Sequence, residues 1–264
     1  MFLRIIGIFL CTIGIIGIYH EYKLKYNDSN YYNTISQSIY EQERSIKQED
    51  NTIKEKDNTI KQKIDSEVDV VDTPNETDDT TPIKEYASST PVDASNYISI
   101  NETNICYPLV QSDNNTYYLN HLPNGQESSC GSIFIDYKNT IDDFNMIIYG
   151  HNMNNGSMFG NLDKYYKDAE YAKNHSTLII NWQDTRKEYK LFSVQKVLYD
   201  SEVYLINPDD KQLWIDTQVS NSIVECNMPA NVNDKFITLS TCSKNKDEKI
   251  ITIWKGVESC EDEY

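Results

Sequence analysis

The stretch "FITLSTCSKNKDEKIITIW", residues 236–254, contains two apolar, β-branched runs separated by a polar loop. Runs of this composition, bounded by polar residues, are typical of β-strands. We therefore predict two strands, with Cys242 at the end of the first and Lys249 at the start of the second. A lone thiol at a strand end is a candidate nucleophile, although a single cysteine is more often a small buried hydrophobic residue.

Similar short runs recur from Asn96 onward. They are "YISI", "GSIFIDY", "FNMIIYG", "STLIINW" and "YKLFSVQKVLY", whereas only "NLDKYYKDAEYAKN" and "NPDDKQLWIDTQVSNSI" have a helical pattern. Many short strands with few helices predict a mainly-β fold, either a barrel or a sandwich. Residues 96–257 are enough to form one domain with its own core.

Charge and cysteine spacing limit the ligands that the chain can bind. The formal net charge is −17, and phosphate binding needs clustered lysine and arginine, so we predict no nucleic-acid partner. The six cysteines form no C-x-x-C pair, and the sequence has no EF-hand loop. We therefore predict no metal and no cofactor.

An uncharged apolar run, "IIGIFLCTIGIIGIY", occupies residues 5–19. Together with the residues before it, the run approaches the ~20 residues of a membrane-spanning helix. A secretory signal peptide is the alternative, but the small-residue cleavage site that it would need does not follow. We predict a transmembrane anchor over residues 1–20, with the N-terminus inside and the rest of the chain outside.

Residues 21–95 are predicted to be a polar stalk followed by an acidic linker. An isoleucine recurs at every seventh position, at Ile39, Ile46, Ile53 and Ile60. This spacing places the isoleucines on one helical face, but each heptad lacks a second apolar position, so a charged disordered tether is the alternative. Residues 65–95 are rich in Asp, Thr, Ser and Pro and have no periodicity, which indicates a linker. Residues 258–264 form an acidic tail.

A second motif, "MIIYGHNMNNGSMFGNL" at residues 146–162, places a histidine after an apolar run. Gly150 permits a sharp bend, so His151 is expected at a strand end beside a loop. A thiol has a pKa near ~8.5 and needs a histidine or another cation to become a thiolate. Strand ends at one rim of a barrel can meet, so His151 is the candidate partner of Cys242. The alternative is an ordinary surface histidine in a turn.

From Asn96 to about Val257 the chain resembles a sortase, most closely class B. The resemblance is carried by four blocks in the family's order: "NYISINETNICYPLVQSDNNTYYLNH", "GSIFIDYKN", "IIYGHNM…GSMFGNL" and "ITLSTC". It implies an eight-stranded sortase-like β-barrel with a few added helices. It also implies a membrane-anchored cysteine transpeptidase on the outside of a Gram-positive-type cell.

By this resemblance, Cys242 attacks the threonine carbonyl of an NPQTN-like or LPXTG-like sorting signal near the C-terminus of a surface protein. A thioacyl intermediate forms, and an amine of a peptidoglycan precursor resolves it and joins the surface protein to the wall. His151 is the implied acid and base, which protonates the leaving amine and deprotonates the incoming one. The implied partners are surface proteins, the peptidoglycan amine and the membrane.

The family has an arginine at the start of the strand after the cysteine, and this chain has Lys249 there. A lysine supplies charge but lacks the flat fork of a guanidinium; an ordinary surface lysine is the alternative. Ser240 and Thr241 fall where the family lines its groove, and Asn115 is a further substrate-binding candidate. The helical stretch 205–223 is expected to form one wall of the groove.

Competing functions are separated by the order of the motifs. Papain-like proteases place the cysteine before the histidine, and caspase-like proteases need a Q-A-C-x-G motif that is absent. A degenerate sortase-like barrel that acts as a surface binding module is the alternative function, and its support is the missing arginine. Lys244 and Lys246 in the loop are poorer replacements for that arginine. Arg186 is the only arginine in the sequence from 96 to 257 and is the remaining candidate.

Overall fold

A computed structural model describes residues 2–64, 95–198, 200–226, 228–242 and 247–257. The linker predicted at residues 65–95, except Ser95, lies outside these ranges, as do the acidic tail at 258–264 and the loop lysines Lys244 and Lys246. The anchor predicted at residues 1–20 is described in part, because most of its side chains are not among the described ones. Within the described chain, no helix has both the length and the apolar character that crossing a membrane requires.

The described residues from Ser95 to Val257 form eight strands and three short helices. The strands are β1 Tyr97–Ile100, β2 Cys106–Val110, β3 Ile133–Ile135, β4 Asn145–Tyr149, β5 Thr177–Trp182, β6 Thr185–Leu198, β7 Phe236–Cys242 and β8 Glu248–Gly256. The helices are α2 Leu162–Lys167, α3 Ala169–Asn174 and α4 Lys211–Ser220, and a longer helix, α1 Phe2–Ile64, precedes the strands.

The strands close into one barrel in the order β1-β2-β3-β4-β7-β8-β6-β5. The pairs β2–β3 and β4–β7 are parallel, and the other neighbours are antiparallel. This architecture confirms the eight-stranded β-barrel with few helices. Every β-like run singled out between residues 96 and 257 contains a strand, and β2, "CYPLV", is the additional one.

Two apolar clusters hold the barrel together. The larger fills the barrel and includes Ile98, Leu239 and the fully buried Trp254. The smaller lies between the barrel and α4, where the ring of Trp214 meets Phe144 edge-on at 5.3 Å between centroids. Burying such aromatic side chains is the main source of stability in a fold of this size.

The parallel neighbours β4 and β7 bring the two sequence motifs to one rim. Their register pairs Asn145 with Phe236 and Tyr149 with Ser240, and the backbone N–H of Gly150 donates to the Ser240 carbonyl over 3.3 Å. Parallel strands point their carboxyl ends in the same direction. The residues that follow Tyr149 and Ser240 therefore emerge side by side.

Helix α1 packs on the outside of the barrel. Ile35 and Ile39 are buried against Tyr97, Cys106 and Ile179. Polar contacts reinforce the apolar face, since Tyr32 donates to the Gly131 carbonyl, Ser36 to that of Cys106 and Tyr40 to that of Thr103. The isoleucine repeat predicted a helical face here, and the surface that covers Ile39 is the barrel itself.

A buried carboxylate completes the contact between α1 and the barrel. Glu43 is 7% exposed and accepts hydrogen bonds from Tyr97 and, at 3.0 and 2.7 Å, from Nε and Nη2 of Arg186. Burial raises the pKa of the Glu43 carboxyl, but the hydrogen bonds from Arg186 and Tyr97 outweigh burial, so the pKa lies below its usual value. Arg186 is thereby committed to the helix contact.

The Glu43 contact predicts a pH-dependent stability. Because the folded-state pKa of Glu43 is depressed, its stabilisation is present above the unfolded-state pKa of about 4.3 and is lost as pH falls through the folded-state pKa. Glu43→Gln should lower the free energy of unfolding at pH 7 by about 1–3 kcal/mol. It should also reduce the loss of stability of the full chain on acidification, measured by urea denaturation from pH 7 to 3.

Glu41→Gln is the matched control, because Glu41 lies on the exposed face of the same helix. It should leave the free energy of unfolding within about 0.5 kcal/mol of wild type. Equal losses in the two variants would contradict a specific role for Glu43.

Candidate active site

A groove of about 370 Å³ opens at the rim where β4 and β7 end. Its lining residues are Asn115, Leu119, Phe134, Tyr149, Gly150, His151, Tyr204, Ser240, Thr241 and Lys249. Of the six site residues predicted from the sequence, five are in this lining. The sixth, Cys242, directly follows Thr241 at the end of β7, and its side chain is outside the described residues.

Backbone pairing places Cys242 beside the groove. Across the antiparallel pair β7–β8, Cys242 lies opposite Lys249. On its other side, the parallel register joins Tyr149 to Ser240, and His151 and Cys242 each follow two residues later. The nucleophile candidate thus has the lysine candidate on one neighbouring strand and the histidine candidate just beyond the end of the other.

His151 is held by a backbone carbonyl that sequence reasoning missed. Its Nε2 lies 2.7 Å from the carbonyl oxygen of Leu119, at the end of the 3₁₀ turn Tyr117–Leu119. A carbonyl oxygen only accepts hydrogen bonds, so Nε2 carries a proton, and in the neutral ring the lone pair is on Nδ1. The Leu119 contact therefore selects the tautomer of His151.

Gly150 is required by close packing at the end of β4. A Cβ at this position would lie 2.4 Å from Cδ1 of Ile133 and 2.8 Å from the ring of Phe159. A larger residue would push β3 or the loop after His151 outward. The sharp bend expected at this glycine is not observed, since residues 150 and 151 form neither a turn nor a bend and Gly150 does not have a positive φ; the glycine is needed because its neighbours leave no room for a side chain.

One side of the groove is aromatic and hydroxyl-rich. The rings of Tyr149 and Tyr204 stack with centroids 6.4 Å apart, and the Tyr204 hydroxyl is 2.9 Å from Oγ of Ser240. The hydroxyl of Thr241 donates to the Gly150 carbonyl over 2.8 Å. Thr241 therefore fixes β7 to the chain before His151.

The stretch 205–223 does not line the groove as expected. Its helix α4 supports the groove from behind, because Nε1 of Trp214 donates to the carbonyl of Glu202 over 3.1 Å. Glu202 begins the 3₁₀ turn that carries Tyr204, and Tyr204 is the lining residue. Of the apolar side chains of α4, Trp214 and Ile215 are buried in the smaller apolar cluster, whereas Leu213 and Val219 are exposed.

The nitrogen and the oxygen of the Asn115 amide each form a hydrogen bond within the protein. Nδ2 donates to Oδ2 of Asp136 over 2.7 Å, and Oδ1 accepts from the backbone N–H of Tyr137 over 2.9 Å. Asp136 is buried and also accepts from the Tyr149 hydroxyl over 2.9 Å. The acid at the end of the run "IFID" was the available sequence signal, and sequence reasoning did not use it.

Lys249 is half-buried and faces the groove, whereas Arg186 lies under α1. Apart from tyrosines, His151 and Lys249 are the titratable side chains among the described residues of the lining. Their cationic forms favour a thiolate at the adjacent position over a neutral thiol. The rim is thus electrostatically suited to a reactive Cys242.

The described free cysteines have a different environment. Burial raises the pKa of Cys106 to about 12 and that of Cys226 to about 11, and burial also raises the pKa of Cys130. These side chains are thiols at neutral pH, and the groove lining contains none of them. Their chemistry is that of small packing residues.

Comparisons with known proteins agree with this fold and site. A family model of the sortase domain matches residues 98–254. Sortase B of Listeria monocytogenes is 36% identical over 156 residues, which are 57% of this chain and 63% of that protein. Sortase B of Staphylococcus aureus is 30% identical over 153 residues, with 55% and 62% covered. The chain thus spans less than two thirds of the length of these relatives.

The solved structure of Listeria monocytogenes sortase B superposes on this chain with a TM-score of 0.56 at 33% identity. The superposition covers 62% of this chain and 93% of that one. Because the family model matches more than half of the sequence and the barrel has the same fold as a solved member, this chain belongs to the sortase family, and its relatives are class B sortases.

Proposed function

We propose that this protein is a membrane-anchored cysteine transpeptidase that cleaves a C-terminal sorting signal of surface proteins and joins them to a peptidoglycan amine. The observation that carries the proposal is the convergence on one groove of three neighbouring strand ends, which bear His151, Cys242 and Lys249. Membership of the sortase family supplies the reaction class.

In the first half-reaction, the Cys242 thiolate attacks the threonine carbonyl carbon of the sorting signal. The tetrahedral adduct collapses, the peptide C–N bond breaks, and His151 protonates the leaving amine. The result is a thioester between the substrate and Cys242. Since Nε2 of His151 is occupied by Leu119, Nδ1 carries the transferred proton.

In the second half-reaction, an amine of a peptidoglycan precursor attacks the thioester carbonyl. His151 takes a proton from the incoming amine, the C–S bond breaks, and the thiolate of Cys242 is restored. The new amide links the surface protein to the wall precursor. No net oxidation or reduction occurs in either half-reaction.

In this proposal, Lys249 has the role that the arginine has in other members of the family. Its position opposite Cys242 brings a positive charge to the side of the groove where the oxyanion develops. Such a charge stabilises the transition state more than the ground state. Ser240, Thr241 and Asn115 shape the wall along which the sorting peptide lies.

We propose further that residues 1–20 anchor the protein, with the barrel on the outer side of the membrane. The support is the charge-free apolar run at residues 5–19. A sorting signal and a wall precursor are both available at that side.

A binding module without activity is the second candidate, and the observation in its favour is the lysine at position 249. Such a module would bind sorting peptides in the same groove and leave them intact. Mass spectrometry of peptides after incubation with the protein separates the two functions.

Replacing the nucleophile tests the reaction class. Cys242→Ala should abolish cleavage of the best sorting peptide, because no other described cysteine reaches the groove. His151→Ala should lower turnover by about 10²–10⁴-fold through loss of proton transfer. Cys226→Ala is the control and should keep wild-type turnover. Residual turnover by Cys242→Ala would show that the proposal is wrong.

Replacing the lysine tests the oxyanion role. Lys249→Ala should lower kcat by about 10²–10³-fold while changing the melting temperature little, and Lys249→Arg should preserve or raise kcat. Lys255→Ala is the matched control, since Lys255 lies on the same strand and pairs with Asp234 away from the groove. Wild-type turnover by Lys249→Ala would remove Lys249 from the catalytic site.

The membrane proposal is tested on intact protoplasts. Added protease should digest the barrel while residues 1–20 stay with the membrane fraction, and a chain that begins at residue 21 should be released into the soluble fraction. A soluble mature form whose N-terminus lies near residue 20 would show a cleaved signal peptide instead.

A further inference from the structure

The wall of the groove is held from behind by one buried carboxylate. Asp136 directly follows β3 and is 7% exposed, and it is absent from the groove lining. Its two oxygens accept three hydrogen bonds: from Nδ2 of Asn115 at 2.7 Å, the Tyr149 hydroxyl at 2.9 Å and the backbone N–H of Lys138 at 2.9 Å. Two of these donors belong to residues that line the groove.

The backbone of Asp136 binds the same region of the barrel. Its N–H donates to the carbonyl of Ile147 on β4 over 2.8 Å. Its carbonyl accepts from Nε2 of Gln111 over 2.8 Å, at the start of the loop that carries Asn115. One residue therefore links the end of β3, strand β4 and the 111–116 loop.

The contacts continue from Asp136 toward the nucleophile strand. The Tyr149 hydroxyl is bound by Asp136, its ring stacks on Tyr204, and the Tyr204 hydroxyl meets Ser240. Ser240 lies two residues before Cys242. Burial, and then the negative charge of Asp136, raise the pKa of Tyr149, so its hydroxyl stays protonated and keeps donating to the carboxylate.

We propose that Asp136 is a positioning residue that sets the specificity of the groove by fixing Asn115 and Tyr149, without touching the substrate. The proposal rests on the proposed function in that the ligand of the groove is a sorting peptide. The proposal also changes the role of Asn115 from a substrate-binding residue to a structural one. Its amide forms hydrogen bonds with Asp136 and Tyr137 and so fixes the shape of the groove wall.

Because Asn115 donates to Asp136, exchanging the amide and the carboxylate between these two positions tests the contact. In Asp136→Asn, one of the carboxylate positions becomes an NH₂ group, which then faces either the NH₂ of Asn115 or the N–H of Lys138. Two donors cannot satisfy each other, so the wall must shift. In the double variant Asn115→Asp/Asp136→Asn, the new amide donates to the new carboxylate and still accepts from Lys138, and the Tyr149 hydroxyl accepts from the amide.

Asp136→Asn should raise KM for the best sorting peptide about tenfold, the size expected for losing a hydrogen bond to a charged group. The value of kcat should change less than about twofold, because the hydrogen bonds of the Asp136 carboxylate go to Asn115, Tyr149 and Lys138 and not to the residues that carry the reaction. The double variant should return KM to within about threefold of wild type. Tyr149→Phe, which removes one hydrogen bond and keeps the stacked ring, should raise KM about threefold and serves if Asp136→Asn fails to fold.

Peptide affinity of the Cys242→Ala protein gives a readout that does not need catalysis. Fluorescence anisotropy of a labelled sorting peptide should show the same order: weaker binding with Asp136→Asn and recovery in the double variant. A wild-type chain that binds peptide but never cleaves it would refute the transpeptidase and leave this test intact.

Three results would overturn the positioning role. They are an unchanged KM and peptide affinity in Asp136→Asn, a loss confined to kcat, or a double variant that is no better than the single one. The last result would mean that Asn115 touches the peptide directly.

Discussion

The parallel pairing of β4 with β7 is the constraint on which the groove depends. Because the register joins Tyr149 to Ser240, both strands end at one rim, and the residues that follow them are neighbours. A shift of one residue in this register would turn every side chain of one strand to the other face. The hydrogen bond from Thr241 to Gly150 lies at the end of the pair and holds it where the chemistry is proposed.

Hydrogen bonds to a backbone carbonyl and to a buried carboxylate then orient the residues that the strands bring together. His151 is oriented by the Leu119 carbonyl and the groove wall by Asp136, and neither partner was among the site residues predicted from the sequence. A buried carboxylate is costly unless its oxygens are satisfied, and Asp136 has a donor on each oxygen. The same logic applies to Glu43, which joins α1 to the barrel through Arg186 and Tyr97.

Much of the architecture follows from local pattern, because β-branched runs and turn residues are local signals. The strand β2 was the exception: it contains Pro108, which lacks a backbone donor and is therefore typical of edges and bulges. The closing of the barrel gives "CYPLV" two neighbours, which no short window of sequence shows. The isoleucine repeat indicated the buried face of α1, but it did not indicate the surface that covers that face.

The candidate site was predictable where a side chain does the chemistry and unpredictable where the backbone or a distant residue supports it. His151, Cys242 and Lys249 carry reactive groups near strand ends, and the resemblance to sortases implied a role for each of them. Leu119 acts through its carbonyl, which every residue has, so no sequence signal marks it. Asn115 lies in the groove lining, and its engagement by Asp136 depends on a contact across 21 residues.

The parallel pairing also has a kinetic consequence. The Thr241–Gly150 bond joins residues 91 positions apart, and loops of this length close slowly and with a large entropic cost. His151 and Cys242 can therefore become neighbours only after β7 has paired with β4. Until then the thiol is an ordinary, weakly ionised cysteine. The topology thus delays the reactivity of the nucleophile until the barrel has closed.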